Sequence, residues 1–161
     1  MTDFPKTTRF KAPTKLACEI AHTHPDRFNE AVHAGFYPCA PETRPGKARS
    51  FGVNDIISLR CYQRFMDGGM SAKAAGAKAC AIREFLIQYP EADQVYIVRT
   101  AFDDYRSGTL LPDFDVKQQH VQGFGNGAPD VISVEVFNFH YLRGRIVHEI
   151  EEAALTVGGD D

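Results

Sequence analysis

The stretch TKLACEIAHTHPDRFNEAVHAG, residues 14–35, decides how the chain is read. Thr14 opens a short helical segment over Lys15 to Ala21, where Leu16, Ala17 and Ile20 share one side at i, i+1 and i+4 spacing. His22 and Thr23 form a turn. Pro25 suits the first turn of a second helix, because the N–H it lacks would have no partner there, and Asp26 complements the positive end of the helix dipole. The cap is either Thr23, which makes a Ser/Thr-x-x-Asp/Glu box with Asp26, or His24 with Pro25 at the first helical position. Phe28, Ala31 and Val32 give the second helix an apolar face, and Gly35 stops it. Two short helices joined by a tight turn form a helix-turn-helix pattern, with the second in the recognition position.

Downstream, aromatics bracket a Pro/Gly turn between Phe36 and Phe51 that carries three cations, Arg44, Lys47 and Arg49, and one acid, Glu42. This reads as an irregular hairpin tipped by Pro45-Gly46. Gly52 caps a third helix, Val53 to Met66, with Asp55 at its third position and Ile56, Leu59 and Met66 at helical spacing. Ser71 caps a fourth, Ala72 to Gln88, whose alanines permit close packing and which Pro90 ends. Beyond Pro90, Gln94 to Thr100 and Asp130 to Phe137 read as strands. Asn138 caps a last helix, Phe139 to Leu155, stapled by Phe137 and Leu142. Residues 106–129 take no clear assignment, and a loop of that length signals either an unseen element or a mobile functional segment.

The stretch from Lys15 to Leu86, about 70 of 161 residues, resembles the winged helix-turn-helix of MerR-type transcriptional regulators. The matching steps are Gly35-Phe36-Tyr37-Pro38 after the recognition helix, a basic wing from Arg44 to Arg49, then Phe51 and Gly52-Val53-Asn54-Asp55-Ile56-Ile57. Leu59 to Phe65, the turn Gly68-Gly69-Met70-Ser71 and the helix after it complete the pattern. Three departures accompany it. The family usually places Arg-Tyr-Tyr late in the recognition helix, where this chain has Asn29, Glu30 and Ala31. Family members commonly continue into a long dimerising coiled-coil helix, whereas Pro90 breaks the chain and strands follow. Metal-sensing members cluster cysteines after that coil, and no cysteine follows Cys80.

The expected fold is α+β: the resemblance implies an N-terminal winged helix-turn-helix over 1–90, and the residues beyond it read as a small strand-strand-helix module with an acidic tail over 91–161, for dimerisation or effector binding. It also implies a regulator that binds double-stranded DNA sequence-specifically, a repressor more readily than a MerR-type activator given the missing coil; a homodimer is expected because one wing and helix bury too little surface for tight specific binding. In the recognition helix His24, Arg27 and Asn29 are the base-edge candidates, Arg27 for guanine and Asn29 for adenine. Arg44, Lys47 and Arg49 would meet phosphate or the minor groove. Lys15, Thr23 and Arg60 are further phosphate candidates, and the seam Leu142, Ile146 and Ile150 is the expected two-fold contact.

Charge fits a polyanion partner for the first half alone. Residues 1–90 hold 13 Lys/Arg against 8 Asp/Glu, and residues 91–161 hold 5 against 13. A length of 161 residues excludes a large barrel or doubly wound enzyme. Cys18, Cys39, Cys61 and Cys80 lie about 20 residues apart, without a C-x-x-C pair, and four reduced thiols are expected. No apolar run approaches the roughly 20 residues of a membrane span, and Met1 to Lys11 lacks an apolar signal core, so a cytoplasmic protein is expected.

No metal site is expected: His22, His24 and His33 make no i, i+4 pair, and His140 and His148 lie two turns apart. Asp113-Phe114-Asp115 lacks the glycine and closing glutamate of a calcium loop. Gly123 to Gly127 precedes a strand, where a nucleotide loop would follow one. Ser107 and Ser133 sit in no nucleophile elbow, so neither a cofactor nor an enzymatic activity is expected. The alternative is a winged-helix adaptor, binding another transcription component without touching DNA, or an effector-sensing regulator.

Overall fold

The computed structural model describes residues 5–100, 108–115, 117 and 131–158. Within them the chain is α+β, with five helices and two small antiparallel sheets. The order is β1 (Ala12–Pro13), α1 (Thr14–Ala21), α2 (Pro25–His33), β2 (Ser50–Phe51), α3 (Val53–Asp67) and α4 (Ala72–Gln88). It continues with β3 (Gln94–Thr100), β4 (Thr109–Leu111), β5 (Val131–Asn138) and α5 (His140–Gly158).

Four of the five helices start where the sequence supplies a cap; α1 follows Pro13 with no side-chain cap. His24 Nδ1 accepts the N–H of Asp26 at 3.2 Å, which settles the start of α2 in favour of His24 over Thr23. Ser71 Oγ accepts from Ala74 N at 3.2 Å, and Asn138 Oδ1 from His140 N at 3.0 Å. At α3 the cap residue has no side chain, so Asp55 Oδ2 reaches back to the Gly52 N–H at 2.9 Å. Helix α1 closes on His22, which holds φ 57°, the one non-glycine with positive φ among the described residues. That conformation costs a non-glycine residue roughly 1 kcal/mol.

Phe51 does not pair with Phe36 to make a hairpin. It pairs with Ala12, and Ser50 with Pro13, so the strand leaving the cationic tip joins the strand entering α1. Only the tip itself is hairpin-like: Lys47 N donates to Arg44 O at 2.9 Å around Gly46, whose φ is 78°. Phe36 turns instead onto α4. A Cβ at Gly76 would stand 1.9 Å from the Phe36 carbonyl oxygen, so only glycine fits there. One helical turn on, Cys80 is joined to Cys39 by a disulfide with Cα atoms 5.5 Å apart. The expectation of four reduced thiols is therefore corrected. The separation of 41 residues hid the pair, because its proximity depends on α4 folding back onto the α2 exit.

The main core runs through both halves of the chain. Phe28 meets Tyr37 and Phe51 edge-on at 5.4 and 5.6 Å between ring centroids, and Tyr37 meets Tyr62 at 5.1 Å. The Tyr37 hydroxyl shares a 2.7 Å hydrogen bond with buried Ser58, which donates to the Ala79 carbonyl. Val95, Ile97, Phe139, Ile146 and Ile150 join this cluster from beyond Pro90. Sheet order is β4-β3-β5, with a register shift at Arg99/Thr100. Strand alternation puts Val95 and Ile97 on the helix side, and Tyr96 and Val98 in a second cluster with Phe114 and Val134. Lys78, buried on α4, lies 4.3 Å over the Phe65 ring and pairs with Glu135 of β5 at 3.1 Å.

Asp93 anchors the start of α5. Its carbonyl accepts from Phe139 N, and its carboxylate faces His140 Nδ1 at 3.3 Å, Lys6 Nζ at 3.5 Å and Arg143 Nη1 at 3.6 Å. Arg143 is itself buried and donates to the Ala92 carbonyl. Burial lowers the Arg143 pKa, against the opposing pull of Asp93 and Glu91.

Two outcomes follow. The chain-entropy relation gives the Cys39–Cys80 bridge up to about 4 kcal/mol, so Cys39→Ser, or a reductant on wild type, lowers the thermal midpoint by several degrees. An unchanged midpoint contradicts the clamp. For Asp93, desolvation raises the carboxyl pKa, but His140 and Lys6 outweigh it and the net shift is downward. The stabilisation is thus present above the ordinary aspartate range and is lost as pH falls through the depressed value. Asp93→Asn melts earlier than wild type at pH 7, with the gap closing towards pH 3; a pH-independent gap would refute the ionic origin.

Candidate nucleic-acid interface

Helix α2 buries Phe28 and Ala31 and leaves Asp26, Arg27, Asn29 and Glu30 exposed. At about 100° per residue, Arg27 and Asn29 stand roughly 160° apart around the axis. They flank the outward face from opposite sides, and Asp26 and Glu30 occupy its middle. His24 is exposed, but its Nδ1 is committed to the cap.

The tip presents Arg44 and Lys47, both exposed. Arg49 is half-buried, and its guanidinium donates to the Pro41 carbonyl, so it braces the loop from within. The base of this loop and the inner face of α2 share one layer, through the contact of Phe28 with Phe51 and the pairing of Phe51 with Ala12.

Lys15 is exposed at the start of α1. Arg60 lies across the elbow between α1 and α2, its Nη1 3.5 Å from the Ala21 carbonyl oxygen. Thr23 does not fit a phosphate role. It is 6% exposed, its N–H donates to the Cys18 carbonyl, and its Oγ1 is buried without a hydrogen-bond partner. The turn is tight enough to fold that hydroxyl inward, which sequence spacing could not reveal.

The expected two-fold seam also turns inward. Ile146 and Ile150 are fully buried against the chain's own core, with Leu142 partly so, because α5 packs on α3. Sequence reasoning missed β4, inside the unassigned stretch, as well as the clamp at Gly76 and the basic cleft between α3 and α5. Phe114 of Asp113-Phe114-Asp115 is a core residue of the second cluster. Ser107 and Gly123 to Gly127 lie outside the described residues.

Burial pushes the Cys18 thiol up to about 11 and that of Cys61 to about 12, so both stay protonated near neutrality. Among the described residues no group of three or more His, Cys, Asp or Glu could hold a metal ion, and no helix is long and apolar enough to cross a membrane. Neither a protein-family model nor a curated protein matches the chain.

An unpartnered buried hydroxyl is a local cost that an isosteric methyl removes. Thr23→Val raises stability by about 1 kcal/mol, a few degrees in thermal midpoint. A lower midpoint would show that the hydroxyl is satisfied in solution.

Proposed function

We infer that this chain is a sequence-specific double-stranded DNA-binding transcriptional regulator of the winged helix-turn-helix type, homodimeric and acting as a repressor. One observation carries the reading. Helices α1 and α2 meet at a tight elbow, α1 packs beside the β1–β2 pair, and the loop that runs from α2 to β2 carries an exposed cationic tip. Helix, turn, helix and basic loop in that order suit insertion of α2 into a major groove, with the loop alongside on the backbone.

Roles are narrower than composition suggested. Arg27 is the base-reading side chain, on the flank of α2 away from Asn29. His24 N-caps α2, and Arg44 and Lys47 meet phosphate. Arg49 and Arg60 hold the loop and elbow in place. A homodimer belongs to the reading because one helix and loop bury too little surface for tight specific binding. With the α5 seam inward, that contact falls on other residues.

A second reading has an observation in its favour. Asp26 and Glu30 hold the middle of the exposed α2 face, where they would repel a phosphate backbone and suit a basic protein partner. On that reading the module is an adaptor for another transcription component.

Fluorescence anisotropy on DNA from the chain's own promoter region separates the two. With Arg44 and Lys47 neutralising two phosphates per protomer, log affinity falls with log salt at a slope near −4 for a dimer. Arg27→Ala weakens binding about tenfold or more and relaxes sequence preference, whereas Lys47→Ala weakens all sequences alike and flattens the slope. Wild-type affinity in both variants, or no DNA binding by wild type, rejects the regulator in favour of the adaptor.

A further inference from the structure

Between α3 and α5 lies an open cleft of about 260 Å³. Phe137, Phe139 and Leu142 give it an apolar floor, and the Tyr141 ring lines it as well. Arg60 and Arg64 from α3, and Arg145 from α5, bring three guanidinium groups to the same space.

Their charge is poorly matched. Arg64 is exposed and makes no side-chain ion pair or hydrogen bond among the described residues. Arg145 pairs with Glu149, with Oε1 3.6 Å from Nε. That Nε is buried and lacks a hydrogen-bond partner. Among the described residues no carboxylate lines the cleft itself, and Arg145–Glu149 is the ion pair its three guanidinium groups make; beside aromatic and aliphatic surface, that fits a small organic anion with an apolar body. A carboxylate head can take the paired N–H donors of a guanidinium, while a ring or chain covers the floor.

The same arginines touch the α1–α2 elbow. Arg60 Nη1 is 3.5 Å from the Ala21 carbonyl oxygen, and Arg145 Nη2 is 3.5 Å from His22 Nε2. Both contacts are at the outer limit of hydrogen bonding, whereas a guanidinium–carboxylate bond closes to roughly 2.8 Å and is about twice as strong. An anion in the cleft outcompetes them. His22 is also the residue held at φ 57°, a conformation glycine would adopt freely, so its imidazole keeps the elbow at some backbone cost. Pulling Arg60 and Arg145 towards the cleft releases two holds on the turn that aims α2.

We propose that the α3–α5 cleft binds a small apolar carboxylate, and that its occupation resets the α1–α2 elbow and with it the affinity of α2 for DNA. The second half of this proposal rests on the regulator reading given above; the first half stands without it.

The chain contains no tryptophan, so 2-naphthoate can be followed by its own fluorescence and by calorimetry. For a ligand of this size in a fitted site the expected Kd is about 1 mM or tighter. Neutral 2-naphthamide binds at least tenfold more weakly, and acetate, which has the charge without the body, does not compete at equal concentration. Arg64→Gln, on an exposed side chain that folding does not need, weakens naphthoate at least fivefold, and adding Arg145→Gln abolishes measurable binding. Equal affinity for naphthoate and naphthamide, or wild-type affinity in the double variant, overturns the site.

On promoter DNA, saturating naphthoate shifts wild-type affinity at least fivefold and leaves the double variant unmoved. Naphthoate binding with an unchanged DNA affinity overturns the coupling. Absence of any DNA binding by wild type refutes the regulator reading, and the coupling with it, while the naphthoate titration still decides the cleft by itself.

Discussion

The close approach of the Phe36 carbonyl to Gly76, which leaves no room for a Cβ, is the constraint on which the rest depends. No side chain fits between them, so the chain leaving α2 must run along α4. That path delivers Tyr37 to Ser58 and Tyr62, sets Cys39 beside Cys80, and frames the pocket of rings that closes over Phe28. An aromatic cluster built this way makes the two short helices dependent on the longer pair behind them. An eight-residue helix such as α1 would be marginal alone, because nucleation is costly and few bonds repay it. Its order comes from burial of Ala17, Cys18 and Ile20 on α3.

The long elements were legible because periodicity and caps agree. Ser71 and Asn138 cap as expected, Gly52 and Asp55 mark the start of α3, and Pro90 follows the end of α4. What stayed hidden depends on distance along the chain. The Ala12–Phe51 and Cys39–Cys80 pairs join residues about 40 apart, and local propensity holds no record of such partners. The α5 seam shows a related failure. Leu142, Ile146 and Ile150 form a proper apolar stripe, but a stripe states only that something covers it, and here the cover is α3. At the candidate interface the tip was legible through Pro45-Gly46. The inward turn of Thr23 and the bracing role of Arg49 were not, since both depend on loop geometry.

The charge imbalance between the halves acquires a different meaning once partners are seen. Several cations of the first half are occupied internally: Arg83 with Asp55 at 2.7 Å, Lys78 with Glu135, and Arg49 with the Pro41 carbonyl. Exposed positive charge left for an outside anion includes Arg27, the tip residues Arg44 and Lys47, and Arg64 at the cleft, beside Arg9, Lys11, Lys15 and Lys73 elsewhere in the first half. The proposed DNA-facing groups and the proposed small-anion site are thus separate reserves of charge, linked by the elbow at Ala21 and His22.

The two remaining cysteines bear on how the chain reaches its oxidised form. Four sulfhydryls offer six possible single bridges, yet burial withholds Cys18 and Cys61 from exchange by keeping them as neutral thiols inside the core. In the folded chain the two free thiols are buried, and the cross-link joins the two cysteines that α4 and the loop after α2 bring together. The interior thereby acts as a proofreader for its own cross-link.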